Sequence, residues 1–390
     1  MTTNIIKKRT DAIRRLLDKK EMDCLIVTKP ANVTYVTGFM GDDSWAVITR
    51  QGRTYLVTDS RYTEQAQAEC PNCRIIRRKQ PIAEAIGRLI KKLKPVPSTK
   101  FRAGLSEACT ERRRSVEGSV QIVGVESSTS LADFAAIRKN VAARLRRGDA
   151  RLKTVADVIE SLRSQKDAGE IAAIIEAASI AAKALEQTIP RIKPGVSESE
   201  LAGMLDLEVR KLGAKIGFDT IVAFGPNASR PHHQPTTRKL RSADTILIDF
   251  GAKHKGYCCD ITRCFAVGRP TALYKRAYDV VELAQAAAIK KVKAGVKMVK
   301  VDTAARDVIC SSDLPVYGHG TGHGFGLEIH ELPFVKPESK GRLKAGEVLT
   351  IEPGIYMPGK LGVRIEDDIL VTQTGCRILT IDCPHRLMLY

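Results

Sequence analysis

The sequence has no long hydrophobic run. No segment of its 390 residues approaches the roughly eighteen consecutive apolar residues of a transmembrane helix, so no membrane-spanning helix is predicted. The first residues lack an apolar core followed by a small-residue cleavage site, so no secretory signal is expected. Hydrophobic residues make up 43% of the chain and charged residues 27%, which is typical of a globular protein. We predict a cytoplasmic protein with no membrane partner.

A disulfide framework is also missing. The ten cysteines are scattered along the chain without a secretory signal, so free and mostly buried thiols are expected. Cys70 and Cys73 form a Cys-x-x-Cys motif that has no second pair, and a structural zinc ion would need two further ligands from elsewhere. Free thiols are therefore the favoured interpretation.

Histidine is absent from the first 231 residues. All seven histidines lie beyond that point, at positions 232, 233, 254, 319, 323, 330 and 385. Histidine is the commonest metal ligand and the side chain that exchanges protons near neutral pH. The chemistry of the protein is therefore predicted to lie in the C-terminal part.

Acidic residues are too few to balance the basic ones, and the net charge is +19. Residues 1–150 carry 29 Lys and Arg against 16 Asp and Glu. Such an excess is typical of nucleic-acid-binding proteins. However, its basic runs, such as 77–79 and 112–114, are short and lie mostly in helix-like segments, which indicates solvated faces. Specific nucleic-acid binding is therefore not expected.

Two domains are predicted from the order of the patterns. In residues 1–153, short strand-like runs at 24–27, 45–49, 54–58 and 74–77 alternate with helical patterns, which indicates an α/β domain with a mixed or parallel sheet. Residues 154–390 read as two helices, strands, one further helix near 272–292, and then strands and loops. This order predicts an α+β domain with an antiparallel sheet.

Two aspartates frame a predicted hairpin in the second domain. Asp249 ends the apolar run that begins at Ile246, and Asp260 opens the next strand eleven residues later. Gly251 and Gly256 lie between them, so both carboxylates could point into one cleft. The pair alone is equally consistent with two unrelated polar loop residues.

A glycine-rich segment between Gly318 and Pro333 brings three histidines within twelve positions, namely His319, His323 and His330. No Gly-Lys-Ser/Thr follows, so the segment is not a phosphate-binding loop. Its glycines disfavour the helix on which zinc proteases carry a His-Glu-x-x-His motif. The pattern instead indicates an irregular strand that a metal or ligand approaches closely.

Glu352 and Glu366 each lie in an apolar, strand-like context, where a charge is costly unless it is paired or binds a metal. With Asp249, Asp260 and His323 they supply four carboxylates and one imidazole. Four negative charges balance two divalent cations. Such oxygen-rich ligation favours Mn²⁺, with Co²⁺, Fe²⁺ or Zn²⁺ as alternatives. Two such ions can share and activate one water, which predicts hydrolysis.

The five residues, in this order and separation, resemble the ligand set of the pita-bread metallopeptidases, in the aminopeptidase P and prolidase branch. The resemblance covers nearly the whole chain, including the motif Thr58-Asp59-Ser60-Arg61-Tyr62 in a creatinase-like N-terminal domain of residues 1–153. It implies that residues 154–390 form a pita-bread catalytic domain. Phe325 is a departure, since the family usually carries Leu, Ile or Val there.

The resemblance implies a role for each ligand. Asp249 would bind one metal, His323 and Glu352 the other, and Asp260 and Glu366 would bridge them. A hydroxide between the metals would attack the scissile carbonyl, with Glu352 assisting proton transfer. The substrate would be a peptide with proline in second position, and the protein a homodimer.

The resemblance also implies roles for residues around the metals. His232 would stabilise the tetrahedral intermediate, His330 would contact the substrate, and His319 would line the proline pocket. Tyr356 and Arg364 would form a pair that reaches the metal-bridging aspartate. His233 is interpreted as a wall of the pocket.

Three alternatives stay open at this point. The enzyme could be an aminopeptidase or a dipeptidase, depending on whether the cleft is open beyond the proline. The same fold and metals could act on a small non-peptide amide. A non-enzymatic scaffold that binds RNA or protein would fit the basic N-terminal half, although such scaffolds tend to lose metal ligands and all five are present here.

Overall fold

The structure of the chain is a computed structural model that describes residues 3–93, 120–385 and 387–389. The chain divides into two compact units, Met1–Leu162 and Arg163–Tyr390. The basic run at 112–114 lies outside the described residues. Within the described ranges, no helix combines the length and the hydrophobicity that crossing a membrane requires.

The first unit alternates helices and strands, as its apolar runs predict. Its helices are α1 (Thr3–Lys19), α2 (Pro30–Thr37), α3 (Thr63–Glu69), α4 (Ile82–Lys92) and α5 (Leu131–Arg146). Its strands are β1 (Cys24–Val27), β2 (Trp45–Thr49), β3 (Thr54–Thr58), β4 (Arg74–Arg77), β5 (Gln121–Glu126) and β6 (Ala150–Val155). The α/β prediction is confirmed.

These six strands form one mixed sheet in the order β4-β3-β2-β1-β5-β6. The outer pairs β3–β4 and β5–β6 are parallel, and the hairpin β2–β3 is antiparallel. Val47, Val57 and Val123 on one face pack with Ile86 and Ile90 of α4. Burial of this apolar face against helices is the main source of the unit's stability.

The predicted division after residue 153 falls inside β6. The parallel pairing of β6 with β5 continues to Val155, so this strand belongs to the first sheet. The compact units separate between Leu162 and Arg163, within the short helix α6 (Glu160–Arg163). Three of the six residues of β6 are exposed, as is usual for an edge strand, so its sequence resembles that of a linker.

The second unit combines two pairs of helices with antiparallel strands. Its long helices are α7 (Ala168–Thr188), α8 (Glu198–Lys211), α9 (Ala272–Ile289) and α10 (Met298–Cys310). The strands before α9 are β7 (Lys215–Ile216), β8 (Ile221–Phe224), β9 (Thr245–Phe250), β10 (Ala252–His254), β11 (Tyr257–Cys258) and β12 (Ile261–Val267). The strands after α10 are β13 (Gly322–Gly324), β14 (Glu331–Val335), β15 (Val348–Ile351), β16 (Gly354–Met357), β17 (Leu361–Arg364), β18 (Asp367–Val371), β19 (Cys376–Ile378) and β20 (Leu387–Leu389).

Two sheets form the core of this unit, in the orders β20-β12-β9-β8 and β14-β13-β15-β18-β19. Every pairing within them is antiparallel except β12 with β20. Strand β9 is buried on both faces: Ile246 and Ile248 join the core under α7 and α8, while Leu247 joins the core under α9 and α10. A strand covered on both faces must be apolar throughout, so Asp249 in its penultimate position stands out.

Helix α10 corrects the sequence analysis, which assigned only strands and loops to the last ninety residues. Its Lys297 N-cap offers no side-chain hydrogen bond, and its first residues include β-branched Val299 and Val301, so local signals favour a strand. Packing of Val301, Ala305 and Ile309 in the core shared with α9 stabilises the helix instead.

Candidate metal centre

A single cavity of about 290 Å³ in the second unit gathers the predicted site residues. Its lining includes Asp249, Asp260, Glu352, Glu366, His232, His319, His323, His330 and Arg364. Tyr356 lies behind this lining and contacts it through His319 and Arg364. Residues far apart in the second unit's sequence therefore meet at one place.

Strand pairing brings the two aspartates together. Asp249 lies on β9 directly opposite Thr262 of β12, and Asp260 immediately precedes β12. Both side chains are almost fully buried and both line the cavity. The predicted hairpin with two carboxylates facing one cleft is thus present in the structure.

The glycine-rich strand β13 holds His323 against the carboxylates. A Cβ added at Gly322 would lie 1.8 Å from the carbonyl oxygen of Thr350, so only glycine permits this approach to β15. His323 Nδ1 lies 3.1 Å from the carbonyl oxygen of Gly324 and must therefore donate. Its Nε2 therefore keeps a lone pair. This nitrogen lies 3.6 Å from Asp260 Oδ2 and 3.5 Å from Glu352 Oε1.

The arrangement has the donor set of a divalent metal site. Ligand atoms of Asp260, His323 and Glu366 all lie within 4.8 Å of one another. Asp249 Oδ1 is buried and has no hydrogen-bond partner among the described residues. A buried polar atom without a partner needs an explanation, and an acceptor beside other carboxylates fits a cation.

Electrostatics supports the same conclusion. Burial, and then the neighbouring carboxylates, raise the pKa of Asp260 and of Glu366 well above the usual range. Burial also raises the pKa of Glu352. Clustered buried carboxylates repel one another unless positive charge offsets them. The residues present therefore fit divalent ions bound by oxygen and one imidazole nitrogen.

Arg364 organises the other side of the cluster. It donates from Nε to Thr262 Oγ1 at 3.0 Å, from Nη1 to the Tyr356 hydroxyl at 2.8 Å, and from Nη2 to Asp249 Oδ2. Since Thr262 accepts from Arg364, its hydroxyl proton is free to donate to Glu366 Oε2, 2.6 Å away. Arg364 of this pair thus contacts Asp249, whereas the resemblance implied a contact with the bridging aspartate, Asp260.

The hydrogen bonds of His319 assign one nitrogen as the acceptor and the other as the donor. Tyr356 accepts from Arg364, so its own proton points to His319 Nε2 at 3.0 Å. His319 Nδ1 lies 2.7 Å from the carbonyl oxygen of Gly320 and donates to it. Burial lowers the pKa of His319. The imidazole is therefore neutral, with both nitrogens engaged by the protein.

The remaining predicted histidines differ in their surroundings. His330 is exposed at the cavity and its ring lies edge-on to that of His323, with 4.4 Å between centroids. His232 is exposed and also lines the cavity. His233 does not belong to the lining: its Nε2 lies 2.9 Å from Glu198 Oε2 in a buried pair, so its interpretation as a pocket wall is wrong.

Comparison with known proteins decides the family. Residues 172–373 match metallopeptidase family M24, and residues 9–165 match the creatinase/prolidase N-terminal domain. The chain belongs to metallopeptidase family M24. The M24 chain therefore has the two-part architecture that its sequence predicts, with the cavity inside the region that matches the peptidase family.

Individual relatives cover almost the whole M24 chain. An uncharacterised peptidase of Bacillus subtilis is 37% identical over 95% of this chain and 97% of its own length. The structure of an Xaa-Pro dipeptidase from Bacillus anthracis has a TM-score of 0.86 and 32% identity, and covers 99% of this chain and 100% of that one. An X-Pro aminopeptidase structure from Thermotoga maritima has a TM-score of 0.80 and 31% identity, covering 95% and 99%.

Sequence reasoning missed part of the M24 chain's cavity wall. The lining includes four apolar side chains and one lysine that carry no motif, namely Phe218, Ile221, Ile329, Phe334 and Lys336. Phe334 of β14 pairs directly opposite His323. No sequence pattern could have found it, because residues 332–335 are apolar throughout and only the structure shows that position 334 is exposed between buried Pro333 and Val335.

Proposed function

We propose that this metallopeptidase cleaves the N-terminal residue from peptides with proline in second position. The observation that carries the proposal is the cluster of Asp249, Asp260, His323, Glu352 and Glu366 at one cavity. The same cavity offers neutral or exposed imidazoles and an apolar wall to a substrate. The names of the Bacillus anthracis and Thermotoga maritima relatives support the Xaa-Pro substrate class.

The five clustered residues would hold two divalent ions, and we propose Mn²⁺. Ions bound there would lower the pKa of a water molecule and polarise the scissile carbonyl. Asp249 would bind one ion, His323 and Glu352 the other, and Asp260 and Glu366 both. We also propose that the protein works in the cytoplasm as a homodimer. Size-exclusion chromatography with light scattering would test the dimeric state.

Glu352 would move the proton. Its Oε1 accepts from the Thr350 hydroxyl at 3.3 Å and faces His323, while Oε2 lies 4.0 Å from His319 Nδ1. Oε2 would take a proton from the attacking water and deliver it to the leaving proline nitrogen. A carboxylate within reach of both groups can act first as the base and then as the acid. His232 and His330 would donate to the carbonyl oxygen and the substrate backbone.

The proposal is tested by a substrate panel. The Mn²⁺-loaded and the chelator-treated protein are assayed on an Xaa-Pro dipeptide, an Xaa-Pro-Xaa tripeptide and the matching Xaa-Ala peptides. We expect metal-dependent cleavage confined to the proline substrates. Equal cleavage of Xaa-Ala peptides would contradict the specificity. No cleavage of either proline peptide, despite bound metal, would instead favour a small non-peptide amide as the substrate.

One feature favours a dipeptide over longer substrates. Lys336 lines the cavity and makes no ion pair within the described part of the chain. It directly follows the last residue of β14, two positions beyond Phe334, which lines the same cavity. A Cβ added at Gly320 would be 3.5 Å from the Lys336 Cβ, so the lysine is next to the predicted proline pocket at His319. Its ammonium would bind the carboxylate of a C-terminal proline.

Lys336→Met is expected to lower kcat/KM for an Xaa-Pro dipeptide by roughly tenfold to a hundredfold, mainly through KM. The reason is the loss of a charge-assisted hydrogen bond, which contributes about 1.5–3 kcal/mol. Hydrolysis of the Xaa-Pro amide, which has no carboxylate, should be unchanged. Steady-state kinetics on the two substrates measures the difference, and Lys340→Met, an exposed lysine outside the cavity lining, is the control. Equal losses on both substrates would contradict the assignment.

A further inference from the structure

One buried carboxylate holds the segment that carries His232. Glu198, the first residue of α8, is fully buried. Its Oε1 accepts from the Phe224 amide and the Asn227 side chain, both at 2.8 Å. Its Oε2 accepts from His233 Nε2 at 2.9 Å and from the Thr236 amide and hydroxyl at 3.0 and 2.6 Å. All five donors belong to residues 224–236.

Glu198 is ionised in this environment. Burial alone would raise its pKa, but the hydrogen bonds from His233, Thr236 and Asn227 outweigh it and the pKa lies below its usual value. Hydrogen bonds to a charged acceptor are stronger than those between neutral groups. The segment is therefore attached to α8 by a group of strong contacts.

The backbone of α8 adds two more connections. The Glu198 amide donates to the Arg238 carbonyl at 3.1 Å, and the Ser199 amide donates to the Thr236 carbonyl at 3.0 Å. On its other side the segment lies against β17, because a Cβ added at Gly362 would be 1.7 Å from the Ala228 carbonyl oxygen. Arg364 Nη1 also lies 3.4 Å from the carbonyl oxygen of Pro231.

The His232 side chain has no such support. It is exposed at the cavity, and its ring makes no hydrogen bond with any described residue. Its place beside the clustered carboxylates therefore depends on the backbone on either side, and His233 is the next residue. Misplacing a catalytic group by about 1 Å can cost a factor of about a hundred in rate.

We propose that Glu198 and His233 are positioning residues, which act on the reaction only through His232. The inference rests on the proposed function, in which His232 donates to the carbonyl oxygen of the substrate. A purely structural role for Glu198 would change stability or metal binding and would affect activity whether or not His232 is present.

A double-mutant cycle separates the two roles. Glu198→Gln keeps the side chain's shape but replaces one accepting oxygen by an amide nitrogen. We expect it to lower kcat about tenfold at nearly unchanged KM in the wild-type background, and less than about twofold in the His232→Ala background. Glu200→Gln, two residues further along α8, is the matched control, because the Glu200 carboxylate accepts from Ser197 rather than from residues 224–236; this variant should keep full activity.

Equal losses in both backgrounds, or no loss at all, would overturn the proposal. If Glu198→Gln fails to fold, His233→Gln, which removes only one of the five donors, takes its place in the cycle. Hydrogen exchange measured by mass spectrometry gives a readout that needs no substrate. We expect faster exchange confined to residues 224–236 in Glu198→Gln, and unchanged exchange there would overturn the proposal even if the substrate class proves different.

Discussion

Glu352→Gln is expected to lower kcat on Xaa-Pro substrates by a factor of about 10²–10⁴ while the fold survives. The glutamine cannot carry the proton that Oε2 would transfer, and general acid–base catalysis contributes a factor of this size. The change also removes one of four clustered negative charges. Because repulsion within the metal-free cluster falls, the unfolding temperature of the metal-free variant should not drop below that of the wild type. Single-turnover kinetics and thermal unfolding measure the two effects.

Metal content distinguishes the two roles of Glu352. Plasma emission spectrometry on the purified variant shows whether the ions are still bound, and Glu338→Gln, an exposed residue outside the cavity lining, is the control. Full metal loading with a large loss of kcat would assign the proton transfer to Glu352. A variant that keeps its metal and more than a tenth of the activity would remove that role.

Glu331→Gln is expected to destabilise the protein by about 3–5 kcal/mol, the usual result of breaking a buried ion pair by removing one partner. Glu331 is buried between two cations, with Lys166 Nζ at 2.9 Å from Oε1 and Arg163 Nη2 against Oε2. Lys166 is fully buried. For a unit of this size the loss corresponds to a fall of roughly 10 °C in unfolding temperature. Thermal and urea unfolding measure it.

Two further variants test the cause. Glu328→Gln removes a carboxylate that also pairs with Arg163, at 2.9 Å, but whose side chain is 32% exposed, so its effect should be much smaller. Adding Lys166→Met to Glu331→Gln removes the unpaired buried charge and should restore most of the stability. A double variant as unstable as Glu331→Gln would show that the damage comes from packing rather than from charge.

The parts of the fold that follow from local patterns could be predicted. Strands β1 to β3 coincide with apolar runs because each is buried in the first sheet. The capping box of Ser197 and Glu200 marks the start of α8. The metal ligands could be located for a related reason. A carboxylate such as Asp249 on a strand buried on both faces is conspicuous, and so are histidines among glycines.

The missed features depend on contacts between distant residues. Arg364 and Asp249 are 115 positions apart, so which aspartate the arginine reaches is decided by the packing of β17 on β9. His233 resembles its neighbour His232 in sequence, and only the folded position of Glu198 separates a buried histidine from an exposed one. Lys336 carries no motif, and its place at the cavity follows from the pairing of β14 with β13.

The neutral imidazole of His319 has a consequence for substrate recognition. Because Nε2 and Nδ1 both form hydrogen bonds with protein groups, His319 has no polar atom left to bind a substrate. His319 offers only the carbon atoms of a flat ring to the substrate. The ring centroids of Tyr317 and Tyr356 lie 4.9 and 5.6 Å from its own. A saturated five-membered ring gains from such a wall through dispersion and water exclusion alone. A hydroxyl group on the proline ring of the substrate should therefore lower its affinity, since the added oxygen would find no hydrogen-bond partner at this aromatic surface.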